Sequence, residues 1–158
     1  MIDQCKLSEQ PEVLTAAIPI RVLRTEIQTV MGPAFGELFA VLAAQGIAPA
    51  GPTLTFHTKL DPDWFEFEAA VAVASPVAPS GRVVPSRLPS GPIASCIHRG
   101  PYQELHAGWQ AFEGWLAAQP VTRLPYIWEV YRVGPGQTPD PAAWETDLVH
   151  PLAALVQP

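Results

Sequence analysis

Residues 100–119 read "GPYQELHAGWQAFEGWLAAQ". Tyr102, Leu105, Trp109, Phe112 and Leu116 fall there at i, i+3, i+7, i+10 and i+14, one apolar stripe at helical spacing. Gly100-Pro101 opens the stretch, and a proline in a first helical turn gives up only an N–H that has no partner there. Upstream, "GPAFGELFAVLAAQG" (32–46) follows the same plan: Gly32-Pro33, then Glu37-Leu38, with Phe35, Leu38, Phe39 and Leu42 at helical spacing. Each predicted helix follows an extended, β-branched stretch, "VLTAAIPIRVLRTEI" (13–27) or "VVPSRLPSGPIASCIHR" (83–99). Each is followed by two strand-like runs: "PTLTFHTKL" and "WFEFEAAVAVA" in the first half, "PYIWEVYRV" and "WETDLVHPLA" in the second.

The pattern predicts a duplicated βαββ unit, with pseudo-repeats at about 12–75 and 82–152 and a proline-rich connection at 76–92. Within that connection "GRVVPSRL" fits an edge strand, where proline is tolerated. The expected architecture is a single α+β domain over 1–158. Its antiparallel sheet carries both helices on one face and a ligand cleft on the other.

Composition narrows the function. The 158 residues are 48% hydrophobic, enough for one sizeable core, and the N-terminal "MIDQCKLSEQPE" is polar and unlike a signal peptide. No stretch approaches the ~18 consecutive apolar residues of a membrane span, so the chain is expected to be cytoplasmic, with no membrane partner. The net charge is −6 and the nine Lys and Arg form no stripe, which argues against direct nucleic-acid binding. Cys5 and Cys96 are isolated thiols, Cys5 near a terminus expected to be loose, and the four histidines have no metal-ligand spacing. Neither a metal nor a cofactor is expected. Nothing in the sequence excludes a homodimer.

"PYIWEVY" (125–131) holds one carboxylate in an apolar, aromatic run. Strand alternation puts Ile127, Glu129 and Tyr131 on one face and Tyr126, Trp128 and Val130 on the other. Neither face looks solvated, which favours a Glu129 held in an apolar pocket over one on a wet surface. Aligning Pro52 with Pro125 sets Phe56 at the place of Glu129 in the first repeat, and aligning "FEAAVAV" with "TDLVHPL" pairs Phe65 with Trp144. A pocket along the pseudo-twofold would then be lined by Glu129, Tyr131, Trp144, Phe56 and Phe65. Tyr102 and Leu105, from the helix start, are further candidates for its wall. Trp109, Phe112 and Leu116 read as core, and Glu66 and Glu68 as a solvated face. His98 and Tyr102, flanking "HRGPY", suit packing or capping as well as binding.

"LPSGPIASCIHRGPYQEL", the following "WL", "YIWEVY" and the closing "ETDLVHPL" together resemble the GyrI-like small-molecule-binding domain, also found as the effector-binding part of multidrug-responsive and AraC-type transcription regulators. The resemblance spans nearly the whole chain and is clearest over 83–152. It implies a pair of βαββ repeats and assigns Glu129 the acidic pocket position, with Trp144 among the lining aromatics and Asp147 as the acidic residue of the closing motif. In drug-responsive members the acidic residue meets lipophilic cations. In another branch it assists hydrolysis of cyclopropane-bearing alkylating natural products. About ten residues precede the first predicted strand, too few for a helix-turn-helix, so a stand-alone regulator of transcription is not expected.

Three functions are therefore carried forward. The first is a stand-alone binder of lipophilic aromatic, cationic small molecules with Glu129 as counter-charge. The second is a hydrolase of cyclopropane-bearing electrophiles with Glu129 as its catalytic general acid/base. The third is a gyrase-inhibitor-like protein-interaction module.

Overall fold

A computed structural model describes residues 1–155 as two compact units. Nine strands and two helices make up an α+β fold among the described residues. The strand β1 (Ile2–Gln10) belongs with the C-terminal half of the chain, so one unit is continuous, 11–90, and the other comprises 1–10 and 91–158.

The first unit holds β2 (Val13–Leu23), α1 (Ile27–Ala44), β3 (Pro49–Leu60), β4 (Trp64–Val73) and β5 (Val84–Leu88). Its strands run antiparallel in the order β3-β4-β2-β5. Ala34, Leu38 and Leu42 recur at i, i+4 and i+8 and are buried against Ala16, Ile18, Phe67, Ala69 and Val71 of the sheet. The alanines let the helix sit close. The helix ends in a Schellman motif: Gly46 takes φ 68°, while Ile47 N–H donates to the Leu42 carbonyl and Gly46 N–H to that of Ala43. With its leading turn, Arg24–Ala44 is long and apolar enough to cross a bilayer by composition. Within α1 the carboxylate of Glu37 is ion-paired with Arg82 at 2.7 Å.

The second unit holds β1, β6 (Gly91–Arg99), α2 (Leu105–Ala117), β7 (Val121–Arg123), β8 (Ile127–Val133) and β9 (Glu145–Leu155). The order is β1-β6-β9-β8, with β7 on the far end of β9. Phe112 and Leu116 of α2 are buried against Ala94, Cys96, Leu148 and Leu152.

Three expectations change. The N-terminus is an ordered edge strand, with Leu7 and Ser8 paired to Ala94 and Ile93, and Cys5 packs against the same core as Cys96. Alternation of Ile2, Cys5 and Leu7 with polar residues is hidden in the sequence by a register shift between Asp3 and Lys6. Next, β5 was expected to open the second repeat but pairs with β2 and completes the first unit. Finally, only Gly100-Pro101 precedes its helix. Gly32-Pro33 lies inside α1, where Pro33 removes the N–H that would have met the Thr29 carbonyl.

His150 fastens the loop before β8. Its Nε2 donates to the Leu124 carbonyl at 2.8 Å, and Nδ1 lies 3.8 Å from the Glu113 carboxylate, itself paired with Arg123. Burial, the largest influence, holds the imidazole below its usual pKa; the Leu124 carbonyl and Glu113 pull it up, and Arg123 pushes it down. A lowered folded pKa means that the unfolded chain binds the proton first. The stability is then full above the unfolded value of ~6.5 and is lost as pH falls below it. His150→Gln keeps an N–H donor and cannot be protonated. Thermal melts from pH 7.5 to 5.5 should show the wild type losing a few degrees more than His150→Gln, at about 2–4 °C per kcal/mol for a chain of this size.

Candidate ligand site around Glu129

Glu129 lies opposite Leu148 in the β8–β9 ladder, and directly paired residues project from the same face. Leu148 is part of the core beneath α2, so Glu129 faces the helix. The cleft expected on the bare side of the sheet is therefore not where the carboxylate points. Both faces of "PYIWEVY" are apolar, so alternation groups the residues without telling which group meets the helix. The face away from the helix carries, at this level, Asp147, which accepts from Arg132 at 2.9 Å. Burial raises the Asp147 carboxyl above its usual pKa, and Arg132 opposes that.

Both oxygens of Glu129 are engaged. The indole N–H of Trp109, from α2, donates to Oε2 at 2.6 Å, and the Tyr131 hydroxyl donates to Oε1 at 2.8 Å. The residue is only 9% exposed. No basic side chain forms an ion pair with it among the described residues. Four other carboxylates of this unit are ion-paired: Asp147 with Arg132, Asp3 and Glu145 with Arg99, and Glu113 with Arg123. Glu129 is thus a nearly buried carboxylate held by two neutral donors.

An aromatic wall stands beside it. Tyr102 meets Tyr131 edge-on at 5.7 Å and lies tilted over Trp144 at 4.8 Å. Trp144 is fixed in turn by donating its indole N–H to the Thr138 carbonyl at 2.9 Å. Gly134 makes room for Tyr102, since a Cβ there would lie 2.6 Å from the phenol oxygen. Burial, and then Glu129, raise the Tyr102 phenol above its usual pKa. Leu105, the remaining candidate of this unit, packs into the core under α2.

Trp109 was read as core and is both things. Its ring packs 5.8 Å from Phe112 while its N–H serves the carboxylate. A partly buried indole needs an acceptor, which was the available signal. His98 was left between packing and binding. It is fully buried on β6, paired with Thr146 of β9, which is in turn paired with Tyr131 of β8.

Phe56 and Phe65 belong to the first unit. Phe56 pairs with Glu68, on the parity opposite to Phe67 and Ala69, and so faces away from α1. Thr55 and His57 take the helix-facing places, with His57 Nε2 3.2 Å from the Thr55 hydroxyl. Phe56 is therefore on the parity opposite to that of Glu129 in its own unit, and the alignment through Pro52 does not keep the two on matching faces. Phe65 is on the helix-facing parity, 5.4 Å from His57, with the Arg24 guanidinium 4.3 Å over its ring. An open groove of about 290 Å³ on this unit runs along the Arg21–Glu66 ion pair and Glu68. It is a charged surface with no buried acidic group.

Comparison with known proteins places this geometry in context. No curated protein matches the chain. The EcmrR C-terminal domain superposes with a TM-score of 0.84 at 21% identity, over 97% of this chain and 98% of that one. EcmrR in its complex with DNA gives 0.81 at 23% identity over 97% of this chain, which spans only 58% of that longer protein. A hydrolase encoded by lin2189 from Listeria innocua gives 0.66 at 14% identity, over 95% and 92% of the two chains. SAV2435, solved bound to tetraphenylphosphonium, gives 0.68 at 11% identity, over 96% and 95%. These likenesses are likenesses of fold. The profile of the GyrI-like small molecule binding domain matches residues 9–153, nearly the whole chain, and the protein belongs to that family.

Proposed function

We propose that the chain binds lipophilic, aromatic, cationic small molecules beside Glu129. The observation that carries this reading is a carboxylate 9% exposed, hydrogen-bonded among the described residues by neutral donors, with aromatic rings at its flank. A buried charge is costly unless it is compensated, and an incoming cation supplies the missing half. Tyr102, Tyr131 and Trp144 would add cation–π attraction of roughly 0.5–2 kcal/mol per good contact. SAV2435, of the same fold, is bound to tetraphenylphosphonium, a ligand of this chemical class.

A second reading keeps the same residues. The hydrogen bond from the Tyr131 hydroxyl to Glu129 joins a proton donor to a carboxylate, the pairing that general acid–base catalysis uses, worth ~10²–10⁴-fold in rate. In it, Glu129 and Tyr131 would protonate a departing oxygen or direct water onto an electrophilic carbon. The neighbour described as a hydrolase shares the fold. Mass spectrometry of the ligand after incubation separates the two: a binder returns it unchanged, a hydrolase returns it with water added and in excess over the protein.

Two substitutions test the binding reading. Glu129→Gln should weaken tetraphenylphosphonium binding by more than tenfold in calorimetry and leave a neutral aromatic of similar size within about twofold. Equal losses for both ligands would remove the counter-charge role. Trp109→Phe keeps the ring packing but strips Oε2 of its donor. It should destabilise the free protein by about 1–3 kcal/mol, with part of that recovered in thermal melts when the cation is added.

A further inference from the structure

His98 is fully buried, and neither ring nitrogen has a hydrogen-bond partner among the described residues. The Thr146 hydroxyl, paired with it across the β6–β9 ladder, is also buried without one. Above the ring, α2 comes so close that a Cβ on Gly108 would lie 2.6 Å from the imidazole Cδ2. Close packing under α2 holds this ring, with the Glu104 backbone as the polar group near enough to favour its proton. His98, Thr146 and Tyr131 are in register across β6, β9 and β8, so the ring stands on the same helix-facing side as Glu129.

We propose that His98 selects ligand charge for the Glu129 site: neutral, it leaves the carboxylate uncancelled and cations are taken; protonated, it cancels that charge and cations are refused. This rests on the cation-binding reading of Glu129. The groups that act on the ring come from each element around it. The N-terminal ammonium at β1 opposes its protonation, and Glu104 from the turn before α2 and Glu129 from β8 favour it. Gly108 and Thr146 bring no charge, and His106 of α2 is exposed. Burial is the largest of these influences and holds the ring below its usual pKa, so it is neutral at pH 7 and above.

The sign follows from linkage. A cation beside Glu129 offsets one of the two carboxylate charges that favour the imidazolium, Glu104 supplying the other, so cation binding and His98 protonation oppose each other reciprocally. Neutral aromatics, having no charge, should be insensitive. The residue thus makes the site prefer cations near neutral pH and lose that preference in acid.

The test is calorimetric titration with tetraphenylphosphonium and with triphenylmethanol from pH 8 to pH 5.5, on the wild type, His98→Gln and Glu129→Gln. Cation affinity in the wild type should fall about fivefold or more across this range, in line with ordinary coupling strengths. Triphenylmethanol affinity should stay level, and His98→Gln should be flat for both ligands. An equal acid loss in His98→Gln would assign the effect to a group other than His98 and overturn the proposal. If the cation fails to bind the wild type at pH 8, or binds Glu129→Gln equally well, the underlying binding reading fails and the proposal falls with it. Should His98→Gln not fold, ¹³C-histidine NMR of the wild type gives the answer directly. The His98 resonance should titrate with a midpoint below that of a free histidine, and tetraphenylphosphonium should lower it further; a midpoint unmoved by the cation overturns the assignment.

Discussion

Removing a carboxylate from water without compensation costs several kcal/mol, and the second unit is arranged around meeting that demand at Glu129. Two donors reach it from two elements: Tyr131 from its own strand, two residues on, and Trp109 from α2. The second donor fixes the rotation of the helix over the sheet. With Trp109 aimed at β8, Gly108 points at β6, where any side chain would strike His98. Phe112 and Leu116 then fall over Cys96, Leu148 and Leu152. One buried charge thus ties the polar contacts and the apolar packing of the unit to a single helix placement.

Much of this arrangement was legible in the sequence, and the failures have physical causes. The apolar stripe from Tyr102 to Leu116 marks α2 because helical spacing is a strong signal over four turns. Strand alternation correctly joins Glu129 to Tyr131, since side-chain direction has period 2 whatever the tertiary fold. It cannot say which face the helix covers when both faces are apolar. Counting from Pro52 fails because β3 carries a register shift between Pro49 and Thr53, which breaks the parity that the alignment assumed. The two Gly-Pro pairs look alike as text but occupy different places. Local composition offers no means of separating a proline before a helix from one inside it.

The two units share a plan of an antiparallel sheet under one helix, and they differ in chemistry at the matching place. On the first unit's β3 the helix-facing positions hold Thr55 and His57, which bond to each other's side chains and carry no carboxylate. The second unit's β8 holds Glu129 and Tyr131. The same backbone scaffold supports a buried acidic group in one unit and none in the other, so the negative charge is a property of the residues placed on the fold and not of the fold itself.

The manner in which Glu129 is stabilised matters as much as its burial. Elsewhere in the unit carboxylates meet arginines, Asp147 with Arg132 and Glu145 with Arg99, and those pairs leave little net field. An arginine at the Trp109 position would hold Glu129 in place equally well and would extinguish its charge. The indole N–H and the phenol hydroxyl hold it and leave the charge intact, because a neutral donor supplies orientation and a partial positive end without a compensating unit charge. A site organised in this way keeps a fixed negative potential in surroundings of low polarity. Such a potential is felt strongly by a cation small and apolar enough in its periphery to shed water, and only weakly by a neutral molecule of the same shape.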